Sequence, residues 1–117
     1  MTGPLQVIVE HKGPALVIRM DGDAGLPDIG ALEPRLNALV AGSPRLVVLD
    51  LRKLGFVSSL AIGLFVSLAQ ALKSRGGTLR LAAPNPDVEL VFARTKLHAV
   101  IPVFANVETA VAAPVTP

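Results

Sequence analysis

Hydrophobic and polar positions along this chain follow two periods, and the switch between them outlines the elements. Leu5 to Val9 and Ala15 to Met20 are short β-rich runs separated by Gly13-Pro14, which predicts a hairpin. Asp21 to Pro27 is a loop rich in turn residues. From Asp28 to Ala41, Ile29, Leu32, Leu36, Leu39 and Val40 recur at spacings of three and four, the apolar face of a helix started by an Asp28 cap and closed by Gly42. Pro34 interrupts it; deep in a helix a proline costs about 3 kcal/mol, so the helix either begins late or kinks. Arg45 to Leu51 is a near-continuous apolar run, the pattern of a strand buried on both faces. A helix from Ser59 to Ser74 ends at Arg75-Gly76-Gly77, and Thr78 to Ala82 is the next strand. A short helix over Asp87 to Arg94 capped by Asp87, a last strand over Ala99 to Phe104 and a helix over Val107 to Ala112 complete the pattern. The order β-β-α-β-α-β-α-β-α predicts one α/β domain with a mixed, mostly parallel sheet and helices packed mainly on one side. Its core is expected over about 5–111, with 112–117 a flexible tail.

One run resists this reading. Leu54 to Leu72 carries no charge, and hydropathy alone would allow a membrane span of about 20 residues. The segment before it reads as a strand, and the neighbouring elements form a consistent α/β order only if the run supplies a strand end, a serine turn and a buried helix. That helix would bury Ala61, Leu64, Phe65, Leu68, Ala69 and Leu72 along one face, so no span is expected.

Composition narrows the function classes. The chain has no Cys, which removes disulfides, thiolate metal sites and a cysteine nucleophile. Its two histidines, His11 and His98, are too far apart in sequence to suggest a metal site, and no cofactor is expected. Aromatic residues are 3%, all Phe, which argues against base-stacking platforms and direct nucleic-acid binding. The Met1 region lacks the layout of a signal peptide, so a cytoplasmic location is the expectation. Net charge is +2, but Arg52, Lys53, Lys73, Arg75 and Arg80 fall in a stretch without acidic residues. That stretch is either a solvated rim or a face for an anionic partner.

The candidate chemistry sits at Ser58-Ser59. Ser59 stands where an N-cap would stand, and a phosphate on its oxygen would meet the positive end of the helix. VVLDLRKLGFVSSLAIGLFVSL resembles the core of a STAS domain of the bacterial anti-sigma factor antagonist type. The family pattern is Phe-Ile, then Asp-Ser-Ser/Thr-Gly-Leu-Gly. Here Phe56-Val57 stand for Phe-Ile, Ser58 for the Asp, Ser59 for the first Ser, Leu60 for the second hydroxyl, Ala61 for the first Gly and Ile62-Gly63 for Leu-Gly. The likeness runs from about Leu5 to Val111 and takes in Arg19 to Gly22, Gly76-Gly77 with TLRLAAP, Phe92, Leu97 and FANVETAV.

The resemblance implies a non-enzymatic binding module, a single STAS domain over residues 1–117. It would sequester an anti-sigma factor, a Ser/Thr kinase of GHKL-type ATPase fold, and be switched by phosphorylation at Ser59 and reset by a phosphatase. Ser58 is the second candidate acceptor, and a weak homodimer is left open. The implied partner-binding residues are Asp23, Ser58, Ser59, Leu60, Ala61 and Gly63. The alternative is a non-switching STAS subunit of a signalling scaffold or a lipid-transport complex. An enzyme with Ser59 as nucleophile would need a base and an orienting group, and sequence spacing supplies neither.

Overall fold

The structure, a computed structural model, describes residues 5–114, and of residues 26–28 the backbone alone. The predicted hairpin forms from β1 (Gln6–Lys12) and β2 (Ala15–Ala24), antiparallel, with Val7 opposite Met20 and Val9 opposite Ile18. There follow α1 (Leu26–Ala41), β3 (Leu46–Asp50), β4 (Leu54–Val57), α2 (Ser59–Ser74), β5 (Thr78–Ala82), α3 (Pro86–Thr95), a 3-10 turn over Leu97–Ala99, β6 (Val103–Phe104) and α4 (Val107–Ala112). The main sheet runs β1-β2-β3-β5-β6, and all its pairs after the hairpin are parallel. β4 lies off this path. It pairs in parallel with the far end of β2, Gly22 to Ala24, across a register shift between Gly22 and Asp23.

Strand alternation divides the core in two. Leu16, Ile18, Met20, Val47, Leu49, Leu79 and Leu81 meet the apolar faces of α1, α2 and α3. Val17, Leu46, Val48 and Ala82 turn the other way and meet Val107 and Ala110 of α4. The helices thus lie mainly on one side, as expected, with α4 on the opposite one. α2 buries Ala61, Ile62, Leu64, Phe65, Leu68 and Leu72, so the apolar face of the uncharged run belongs to the core. Among the described residues no helix is long and apolar enough to cross a membrane. α2 ends where the glycines predict. Gly76, at φ 80°, donates to the Lys73 carbonyl (3.1 Å) and Gly77 to that of Leu72 (2.7 Å), the paired bonds of a Schellman turn. A Cβ on Gly77 would stand 2.5 Å from the Pro44 carbonyl, so only glycine fits.

Several expectations need correction. α1 starts earlier, with Gly25 at the N-cap position and no side-chain cap. Asp28 therefore falls within the first turn, and its side chain lies outside the described residues. The helix continues unbroken past Pro34. Pro34 has no N–H for the Gly30 carbonyl, but both residues are exposed and water can replace the bond. α3 is capped by Asn85, not Asp87: the Asn85 side chain accepts from Val88 N (2.8 Å). The last strand shrinks to Val103–Phe104, because a 3-10 turn and Pro102, which cannot donate to a ladder, take up the residues before it. β4 went unpredicted; its burial pattern, Leu54 and Val57 in and Gly55 and Phe56 out, shows no period inside an uncharged run.

The basic stretch does not form one face. Arg80 is buried at 4% exposure beneath α4. Its Nη1 donates to the carbonyls of Ala110 and Ala113 (both 2.7 Å) and its Nη2 to that of Pro114 (2.8 Å), with the guanidinium 5.6 Å from the centre of the Phe104 ring. Ala113 and Pro114, in the segment expected to be a flexible tail, are tied down by these bonds. Arg52 turns back onto the buried carboxylate of Asp50, which accepts from its backbone N, Nε and Nη2. Lys73 and Arg75 sit at the far end of α2.

Candidate functional site

The turn from β4 into α2 lies beyond the C-terminal end of the parallel strands, where open α/β sheets place their sites. Ser58 opens it. Its N–H donates to the Ala24 carbonyl at the end of β2 (3.0 Å), and its hydroxyl accepts from Ala61 N (3.2 Å). Ser58 is therefore the N-cap, with extended backbone (φ −83°, ψ 164°), and Ser59 is the first helical residue. This corrects the expectation that Ser59 caps.

The shift frees Ser59. It is exposed, and its hydroxyl has no hydrogen-bond partner among the described residues. Ala61 N is taken by the Ser58 hydroxyl and Ile62 N by the Ser58 carbonyl. The N–H groups of Ser59 and Leu60 are the ones left over, as the first turn of any helix requires. An unengaged hydroxyl and two unengaged amides thus sit together at the positive end of a helix.

Apolar side chains stand beside them. Phe56 is 51% exposed and Leu60 56%. Phe56 pairs in register with Asp23 on β2, and a Cβ on Gly55 would lie 2.7 Å from the Asp23 carboxylate, so Asp23 lies over that glycine. A small cleft of about 70 Å³ between β4 and α3 is lined by Gly55, Phe56, Val57, Asp87, Val88 and Val91. The Asn85 amide donates to the Leu54 carbonyl (2.9 Å) and fixes the start of α3 against β4.

Of the predicted partner-binding residues, the structure brings Asp23, Ser58, Ser59 and Leu60 together at this turn. Gly63 is exposed one helical turn after Ser59. Ala61 is the exception: its side chain is fully buried in the core, where the Cβ faces the sheet, so it cannot touch a partner. Phe56, Asp87 and Val91 were missing from the predicted set. The exposure of Phe56 has no signature in an apolar run, and the place of α3 beside β4 depends on the sheet order. On the sheet side, the hydrogen bond to Asp50 and the charge of that carboxylate raise the Arg52 guanidinium above its usual value. His11 lies toward the opposite end of the sheet, opposite Leu16, and His98 follows the far end of α3. Neither is a base for Ser59.

A sheet of this order with this strand-to-helix turn is the architecture of a STAS domain. The family model for the STAS domain matches residues 6–110, and the chain belongs to that family. Among curated relatives, a Bordetella bronchiseptica protein named as a candidate anti-sigma factor antagonist, BtrV, is 32% identical over 98 residues, covering 84% of each chain. Among solved structures, an anti-sigma factor antagonist from Mycobacterium paratuberculosis superposes with a TM-score of 0.86 at 23% identity, over 95% of this chain and 96% of the other. The antagonist SpoIIAA in its unphosphorylated form gives a TM-score of 0.77 at 20% identity, over 91% of this chain and 93% of the other. A Bacillus SpoIIAA has also been solved phosphorylated, with a TM-score of 0.69.

Proposed function

We propose that this chain is an anti-sigma factor antagonist: a non-enzymatic cytoplasmic module that binds an anti-sigma Ser/Thr kinase of GHKL-type fold and releases it when Ser59 is phosphorylated. A phosphatase would restore binding. The observation that carries this reading is the division of labour between the serines. Ser58 holds the helix, so Ser59 can gain a phosphate without the loss of a cap. A phosphate there would accept from the free N–H groups of the first turn and add roughly −1.5 to −2 charge to the surface. Phe56 and Leu60 on either side supply the apolar anchors expected at the centre of a docking surface, and Asp23 a charge beside them. The names of the relatives support the same partner class.

The second reading, a STAS subunit that docks without a switch in a scaffold or lipid-transport complex, is favoured by one residue. Leu60 places an apolar side chain where the family pattern has a second hydroxyl.

The test is affinity for the cognate anti-sigma kinase. Ser59→Ala is expected to bind as the wild type does and Ser59→Asp at least about tenfold more weakly, a loss of about 1.4 kcal/mol. Incubation with kinase and ATP should place a phosphate on Ser59 by mass spectrometry. Equal affinity of the two variants, with no phosphate, leaves the non-switching subunit as the function.

A further inference from the structure

At the opposite end of the sheet from Ser59 the hairpin and α1 part. The cleft between them has a volume of about 480 Å³ and is lined by Val9, Leu16, Ala38, Leu39, His11 and Arg45, with glycine, alanine and proline backbone between them. That volume falls in the roughly 300–1,000 Å³ range of small-molecule sites. Val9 and Leu39 pack against the core but are only half-buried, so the cleft is an unfilled extension of the core.

The fixed charges at this cleft have one sign. His11 and Arg45 line it. Arg35 lies one helical turn before Ala38 and Leu39 on the same face of α1. Arg75 donates from Nη1 to the Ser43 hydroxyl (3.1 Å), which holds it against the Gly42–Pro44 edge. Arg35, Arg45 and Arg75 are exposed. The nearest carboxylates in sequence turn away. Glu10 alternates to the other face of the sheet, and Glu33 lies on the far side of α1 from Leu39. An apolar cleft with a cationic rim fits an apolar body carrying one negative group.

We propose that this cleft binds an anionic amphiphile, a single alkyl chain ending in a carboxylate or a phosphate. The chain lies between Val9, Leu16 and Leu39, and the headgroup is met by the Arg45 guanidinium and a hydrogen bond from the His11 imidazole, with Arg35 and Arg75 adding to the field. The site is separate from the Ser59 turn, which lies past the other end of β2.

The test is titration of the full chain with dodecanoate, dodecyl phosphate and dodecyltrimethylammonium below their micelle concentrations, followed by amide NMR shifts and calorimetry. One-to-one binding of the anionic probes is expected, with shifts at His11, Ala38, Leu39, Gly42 and Arg45. Dodecanoate binding alone would assign a fatty-acid-like ligand, and tighter dodecyl phosphate a phospholipid-like one. Arg45→Glu should weaken binding about tenfold by reversing the charge that meets the headgroup. Ala38→Phe, an addition at an exposed helix position, should fill the cleft and abolish binding, and Ser59→Asp should leave it unchanged. Absence of saturable binding, equal binding of the cationic probe, or an unchanged affinity in folded Arg45→Glu would overturn the proposal.

Discussion

Adjacent serines with the same side chain have different roles at the start of α2, and hydrogen-bond geometry decides which has which. Ser58 has the extended backbone of a cap and holds Ala61 N; Ser59 is already helical and points its hydroxyl to solvent. Ser58→Ala should therefore cost about 1 kcal/mol in urea denaturation, the usual value of a lost N-cap. Ser59→Ala should change stability by less than about 0.5 kcal/mol, as surface substitutions do. The reverse ranking would return the capping role to Ser59. The presence of a serine at this helix start was readable in the chain. The one-residue difference between cap and first turn was not, because it is set by the bond from Ser58 N to Ala24 across the sheet. Ala61 was read two ways, as part of the buried helix face by period and as a partner-binding residue by motif, and the structure sides with the period: it is buried with Leu64, Phe65 and Leu68.

At the scale of elements, α1 is the informative case. Its apolar spacing predicted a helix, and Pro34 argued against an unbroken one. Burial of Leu32, Leu36 and Val40 on both sides of the proline outweighs the local penalty, since each buried Leu or Val side chain contributes about 1.5–3 kcal/mol. The penalty is still present in the folded state. Pro34→Ala should raise stability by at least about 1 kcal/mol, read as a higher melting temperature, because it restores the bond to the Gly30 carbonyl. A lower melting temperature would show that α1 needs the proline. β4 is the converse. Its four residues have no period of their own, and they form a strand because the end of β2 extends past β3 and offers an unpaired edge. Without β4 the Ser58 turn would have no fixed position beside Asp23.

Across the whole molecule, Arg80 ties β5 to the end of α4 and the residues after it. Its guanidinium, on the central part of the sheet, satisfies carbonyls at the end of α4 that the helix cannot satisfy itself. Removing it leaves a buried cation site empty and three carbonyls without this donor. Arg80→Met should destabilise the protein by about 2–3 kcal/mol, with the amides of α4 losing hydrogen-exchange protection first. Arg80→Lys should recover only part of this, because one ammonium cannot span carbonyls reached by both arms of the guanidinium. Full stability of Arg80→Met would show that the apolar contacts of Val107 and Ala110 hold α4 unaided.

Apart from β4, the order of strands and helices, the hairpin, the α2 face and the Gly76-Gly77 stop were determined by the sequence itself, because period and turn chemistry are local properties of the chain. The same local reading could not separate Arg80 from Lys73 and Arg75, all charged residues in one stretch. Tertiary structure decided that one is a buried clamp and the others a rim, that Ser58 caps so that Ser59 is free, and that Phe56 faces solvent beside it. These outcomes depend on which strands become neighbours, and such contacts join residues far apart in the chain.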